Sequence, residues 1–163
     1  LARLGVAMTV VDINDYAFTL AKRYFQLPPE VACVTADGVE YLRDVKEPFD
    51  AVVIDVFDSK GIIPEAFLAP EFFRSLRAAV KRDGVAVMNV MVAHDKDLIA
   101  ERIGTAMEAA GFSTVLFDWR GTKDRNALVT GGAVEGIQIP SGNEPFWIKP
   151  DLKGISKRAA KRA

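Results

Sequence analysis

The sequence predicts an α/β protein built on a doubly wound, mostly parallel sheet. Four apolar, β-branched runs alternate with amphipathic helical stretches, the pattern of strand–crossover–strand units. The runs are too continuous to leave one face in water, as expected of strands covered on both sides. Several of them close on an acid, at the sheet end where open α/β folds hold their ligands.

Residues 6–11 form the first run and lead into Asp12. Asp15 can cap the next helix, in which Ala17, Leu20, Ala21, Tyr24 and Phe25 share one stripe. Pro28 and Pro29 stop it. Residues 31–35 make a short second strand, and Asp37 caps a brief helix through Leu42. Residues 49–56 are nearly all apolar, with acids at Asp50 and Asp55, and read as a central strand. A loop over 57–69 precedes a helix that begins near Pro70 and buries Phe72, Phe73, Leu76, Ala79 and Val80. Asp83-Gly84 is expected to turn the chain into a strand over 85–91. A helix over 95–110 follows, with Ile99, Ile103, Ala106, Met107 and Ala110 on one side and Gly111 just past its end. Residues 112–117 and 127–130 close the order as two strands joined by a polar link, hence antiparallel.

Composition narrows the function. The 163 residues are half apolar and carry a net charge of −1, which leaves no electrostatic footprint for nucleic acid or an anionic membrane. No apolar run approaches the roughly 18 residues a membrane-crossing helix needs. The single cysteine, Cys33, reads as a core residue and suits a reducing compartment, so a cytoplasmic location is expected. With one histidine, His94, read as a surface residue, no metal-ligand spacing exists and no metal is expected. Ser59 and Ser75 lack the context of an activated nucleophile. Trp119 and Trp147 read as packing residues. The last eleven residues carry five Lys or Arg and read as a solvated end.

The acids are the remaining chemistry. Asp12, Asp37, Asp55 and Asp58 all follow strand ends. Like charges gathered there repel phosphate but suit ribose hydroxyls, an adenine amino group or a cation. Asp12 either receives ribose hydroxyls or, with Asn14, merely begins a helix. Asp37, followed by Gly38, is open to the same two readings. Asp55 is expected at the end of the most buried strand, where a lone carboxylate needs a partner. Asn89, inside an apolar strand, is expected to satisfy a neighbour there.

Four motifs in order resemble the spermidine synthase family, covering roughly residues 5–115. They are Val10-Val11-Asp12-Ile13-Asn14, the step Ala36-Asp37-Gly38, the run from Phe49 through Asp55 to Asp58, and Ile63-Pro64-Glu65-Ala66-Phe67 with the later Asp83-Gly84-Val85. The resemblance implies a Rossmann-like sheet of the S-adenosylmethionine-dependent methyltransferase type. Since residues 1–5 read like a helix end, the fold's first strand is expected to be missing here, and this chain alone is expected to be poorly soluble or inactive. The nucleoside-binding domain would occupy residues 1–150 and a basic tail 151–163. By the same resemblance, Asp12 and Ile13 meet the ribose of decarboxylated S-adenosylmethionine, and Asp37 and Gly38 its adenine. Asp55 is implied as the catalytic acid and Asp58 as a holder of a polyamine such as putrescine, in an enzyme that forms homodimers. A methyltransferase using S-adenosylmethionine itself, and a non-catalytic binding domain, are the competing expectations.

Overall fold

The computed structural model describes residues 1–118, 120–134 and 156–159. The chain divides into two compact units, Leu1–Val45 and Lys46–Ala163.

The first unit holds a two-stranded parallel sheet. Strand β1, Thr9–Asp12, lies beside β2, Ala32–Thr35, with Asp12 opposite Thr35. Helix α1, Asp15–Tyr24, connects them. Its cap is Asn14, whose side chain accepts from the Tyr16 N–H at 3.0 Å, so Asp15 sits one position inside the helix, correcting the expected cap. Phe18 is the buried residue of α1, while Tyr24 and Phe25 are exposed. The helix ends at Tyr24, and Phe25 has left helical geometry, so the expected stripe loses its last members. Helix α2, Gly38–Asp44, is capped by Asp37 as expected. Cys33 is only half-buried, because the edge of a two-stranded sheet gives it little cover.

The second unit is built on a five-stranded mixed sheet. Strand β3, Phe49–Ile54, pairs in parallel with β4, Val80–Val92. Beyond β4 the pairing turns antiparallel: first β6, Arg125–Gly132, then β5, Thr114–Asp118, and then β7, Ser156–Ala159. The end of the chain, read as a solvated tail, thus contributes a strand. Trp119 and Trp147 lie outside the described residues.

Helix α3, Pro70–Ala79, starts on proline at its first turn, where no N–H is needed. Helix α4, Ile99–Ala109, ends before Gly111, which takes φ +96. These two helices pack against each other and against one face of β4. That face carries Ala86, Met88, Val90 and Val92, with Ala127 and Val129 beside them on β6. Phe72, Phe73 and Leu76 of α3 are at most 1% exposed and form its centre. The rings of Phe72 and Phe73 meet edge-on, 5.4 Å apart, and Phe67 reaches Phe72 at 5.1 Å. Phe67 and Ile63 pin the otherwise irregular segment between β3 and α3. The opposite sheet face, with Asn89, Met91 and Leu128, is only half-covered.

Two expected boundaries move. Asp83-Gly84 makes no turn between separate elements: β4 runs unbroken from Val80, and its register against β3 slips between Phe49 and Ala51. Gly84 is needed there because a Cβ would stand 2.8 Å from the Asp50 carbonyl oxygen. Helix α4 starts four residues later than 95: Asp95 accepts the Gly121 N–H, and Asp97 accepts the N–H of Ile99, where the helix begins.

Candidate active site

In the first unit, Asp12 is the last residue of β1 and Asp37 comes just after β2, at the carboxyl ends of adjacent parallel strands. Asp12 Oδ1 accepts the Asn14 N–H at 2.8 Å, a tight turn that aims the chain into α1. Asp37 Oδ1 accepts from the Val39 N–H at 2.8 Å and the Glu40 N–H at 3.1 Å. Both local-structure readings are therefore realised, but each uses a single oxygen. The Oδ2 of either residue has no hydrogen-bond partner among the described residues. Ile13 is 74% exposed beside Asp12.

In the second unit, Asp55 immediately follows β3, and its register neighbour on β4 is Asn89. Asn89 Nδ2 donates to Asp55 Oδ1 at 2.9 Å. Asp55 is exposed, which corrects the expected burial. The physical reason lies in β3, which pairs on one side only among the described residues and whose Val53 stands 65% exposed. A carboxylate there remains hydrated. Asn89 in turn keeps its Oδ1 buried without a donor among the described residues, a condition that generally costs about 1–3 kcal/mol.

Asp58 closes a tight loop. Its Oδ1 accepts from the Lys60 N–H at 2.8 Å and the Ile62 N–H at 2.9 Å. Gly61 takes φ +75 inside that loop and brings it against Met91 of β4, where a Cβ would stand 3.2 Å from the methionine methyl. Beside it opens a cavity of about 240 Å³, walled by Ile62, Leu68, Met91 and Ile99 with Asp97 and Asp124 on its polar side. Asp97 is committed to structure, accepting from the Ala93 and Ile99 N–H groups, both at 3.1 Å. Asp124, at φ +47, is the exposed acid of this wall.

Of the four acids, only Asp55 accepts no backbone N–H among the described residues. Capping explains part of Asp12, Asp37 and Asp58; it explains nothing of Asp55. Sequence reading singled out all four and expected Asn89 to satisfy a neighbour, but it missed the cavity acids and that the neighbour is the exposed Asp55. Asn89 announced itself only as a polar residue in an apolar run, and its partner depends on strand register.

A family model described as the spermine/spermidine synthase domain matches residues 6–117. The chain belongs to that family. This spermine/spermidine synthase domain is 37% identical over 84 residues to the polyamine aminopropyltransferase of Neisseria meningitidis serogroup A, a match covering 50% of this chain. The matched region spans 32% of that relative, so about a third of its length is represented. Among solved structures it is similar to a probable spermidine synthase from Corynebacterium glutamicum, with a TM-score of 0.70, 20% identity, and coverage of 93% of this chain and 57% of that one. It is also similar to the S-adenosylmethionine-dependent methyltransferase SibL, with a TM-score of 0.54, 19% identity, and coverage of 80% and 44%. At these identities the likeness is one of fold, and the fold is the α/β methyltransferase-like one that the resemblance implies. No helix among the described residues is long and apolar enough to cross a membrane.

Proposed function

We propose that this spermine/spermidine synthase domain serves an aminopropyltransferase that moves the aminopropyl group of decarboxylated S-adenosylmethionine to a polyamine such as putrescine. The observation that carries the proposal is Asp55: an exposed carboxylate just past a parallel strand, with one oxygen held by Asn89 and the other uncommitted. Local structure gives no reason for it.

In this reading Asp12 with Ile13, and Asp37 with Gly38, hold the nucleoside. The free oxygen on each acid suits ribose hydroxyls and an adenine amino group, which are donors. Asp58 attracts the ammonium of the acceptor. An amine attacks only as the free base, and its ammonium ordinarily holds the proton to about pH 10.4 by analogy with lysine. Asp55 orients the cation and receives the proton as the nitrogen lone pair forms the new C–N bond. The C–S bond of the sulfonium breaks, and its electrons stay on sulfur in the methylthioadenosine that leaves. Acids, not phosphate-binding groups, are what a cationic acceptor and a sulfonium donor call for. Polyamine aminopropyltransferase is the name of the curated relative quoted above, which supports the reading. We place the domain at residues 1–150, in a cytoplasmic homodimer.

The test supplies the full-length protein with putrescine and either decarboxylated or ordinary S-adenosylmethionine. Methylthioadenosine release with spermidine formation is expected. Release of S-adenosylhomocysteine with a methylated product would replace the reading with a methyltransferase, and binding without turnover would replace it with a non-catalytic domain. Asp55→Asn is expected to lower kcat at least about 100-fold while nucleoside affinity holds; undiminished turnover refutes the assigned proton acceptor.

A further inference from the structure

The parallel register sets Ile54 of β3 opposite Met88 of β4, so the next positions, 55 and 89, face each other. Asn89 is the single amide in a run that otherwise reads Val85, Ala86, Val87, Met88, Val90, Met91 and Val92. Packing does not ask for it. Its Nδ2 gives one hydrogen bond, to Asp55 Oδ1 at 2.9 Å, while its Oδ1 is buried with no donor among the described residues. The opposite rotation of the amide would set two acceptor oxygens against each other, so the orientation follows from the charge on Asp55. A polar group kept at a cost to folding, for the sake of one contact with an exposed acid, has the signature of a functional support.

We propose that Asn89 is the positioning residue for Asp55. Its amide fixes the plane of the carboxylate on the half-covered side of the sheet, the side that also carries Met91 of the cavity wall. Oδ1 is thereby taken, and Oδ2 is the oxygen presented to the incoming amine. Asn89 itself touches neither substrate and acts through Asp55 alone. The inference rests on the reading of Asp55 as proton acceptor.

The experiment is a double-mutant cycle in the full-length protein, read by single-turnover release of methylthioadenosine and by thermal melting. Asn89→Leu is expected to lower kcat about tenfold and leave the KM of both substrates within about twofold, while the melting temperature holds or rises because the orphan oxygen is gone. In an Asp55→Asn background the same change is expected to alter the rate by less than about twofold, since nothing is left to position. Asn89→Asp, which keeps the shape but replaces the donor with an acceptor, is expected to lose at least as much as Asn89→Leu. A wild-type kcat in either Asn89 variant, or an equal loss with and without Asp55, overturns the proposal. Asp55→Asn at full rate removes the aminopropyl-transfer reading itself, and with it this inference.

Discussion

Arg125 and Asp118 form a two-pronged ion pair across the β5–β6 hairpin: Nε to Oδ1 at 2.7 Å and Nη2 to Oδ2 at 3.1 Å. The side chains are 7% and 2% exposed. Arg125 also reaches Asp95 at 3.0 Å, tying the hairpin to the segment before α4. Removing the cation would take from the buried Asp118 both of the bonds that Arg125 gives it. Arg125→Met is therefore expected to destabilise the protein by about 3–5 kcal/mol. Pairing it with Asp118→Leu should recover most of that loss in urea denaturation; two independent, additive losses would refute a coupled pair.

Asp37 caps α2, and the proposed function gives it a second, separable job. Asparagine caps a helix about as well as aspartate, so Asp37→Asn should leave thermal stability unchanged. Asp37→Ala should cost about 1 kcal/mol, through loss of the bonds from the Val39 and Glu40 N–H groups. Both changes should weaken methylthioadenosine binding in calorimetry, because both remove the carboxylate. Full affinity in Asp37→Asn would leave the residue a cap and nothing more.

Gly84 tests the irregular register of β3 and β4. An alanine Cβ would lie 2.8 Å from the Asp50 oxygen and 3.1 Å from that of Phe49, both backbone atoms that cannot rotate aside. Gly84→Ala is expected to cost about 1–3 kcal/mol by overpacking. A neutral change, measured by denaturant midpoint, would mean the slip is not needed.

Lys81, inside that slip, stands 2.8 Å from Asp50 Oδ1. The lysine hydrogen bond holds the Asp50 carboxyl below its ordinary value of 3.8. The partner's hydrogen bond likewise holds the Lys81 ammonium above 10.5. A lowered folded-state value makes the Asp50 contribution complete above 3.8 and lost as pH falls through the lower value. The Lys81 contribution runs oppositely, complete below 10.5 and lost as pH rises through the raised value. Both groups are exposed, so the effect is small. Lys81→Met should flatten the acid end of the stability–pH curve; an unchanged slope would show the pair to be energetically silent.

Sequence reading reached local order and stopped at long-range order. The Val-rich runs, Pro70 at a helix start and Gly111 past a helix end were legible because each acts on its own few residues. Gly84 misled, since a glycine after aspartate looks the same whether it turns the chain or lets two backbones close. Asp95 read as a helix start, yet it serves Arg125, and Asp97, accepting from the Ala93 and Ile99 N–H groups, stands just before the helix instead. Asp55 was expected inside the end of a strand over 49–56 that in fact stops at Ile54, and its exposure depends on what lies beside β3, which no local pattern encodes. The bond from Asn89 was out of reach for the same reason: 34 residues separate it from Asp55.

Three of the four acids have one oxygen clamped by a neighbouring backbone N–H, and the fourth by an amide side chain. Their torsional freedom is gone before any ligand arrives, so little further ordering is lost on association. What stays pliable is the aliphatic wall, above all the unbranched Met91, which adapts to shapes a branched residue would refuse. Under the proposed transfer reaction, charge would be read by rigid groups and length by soft ones, which would favour tolerance toward acceptors that differ in carbon chain over those that differ in charge.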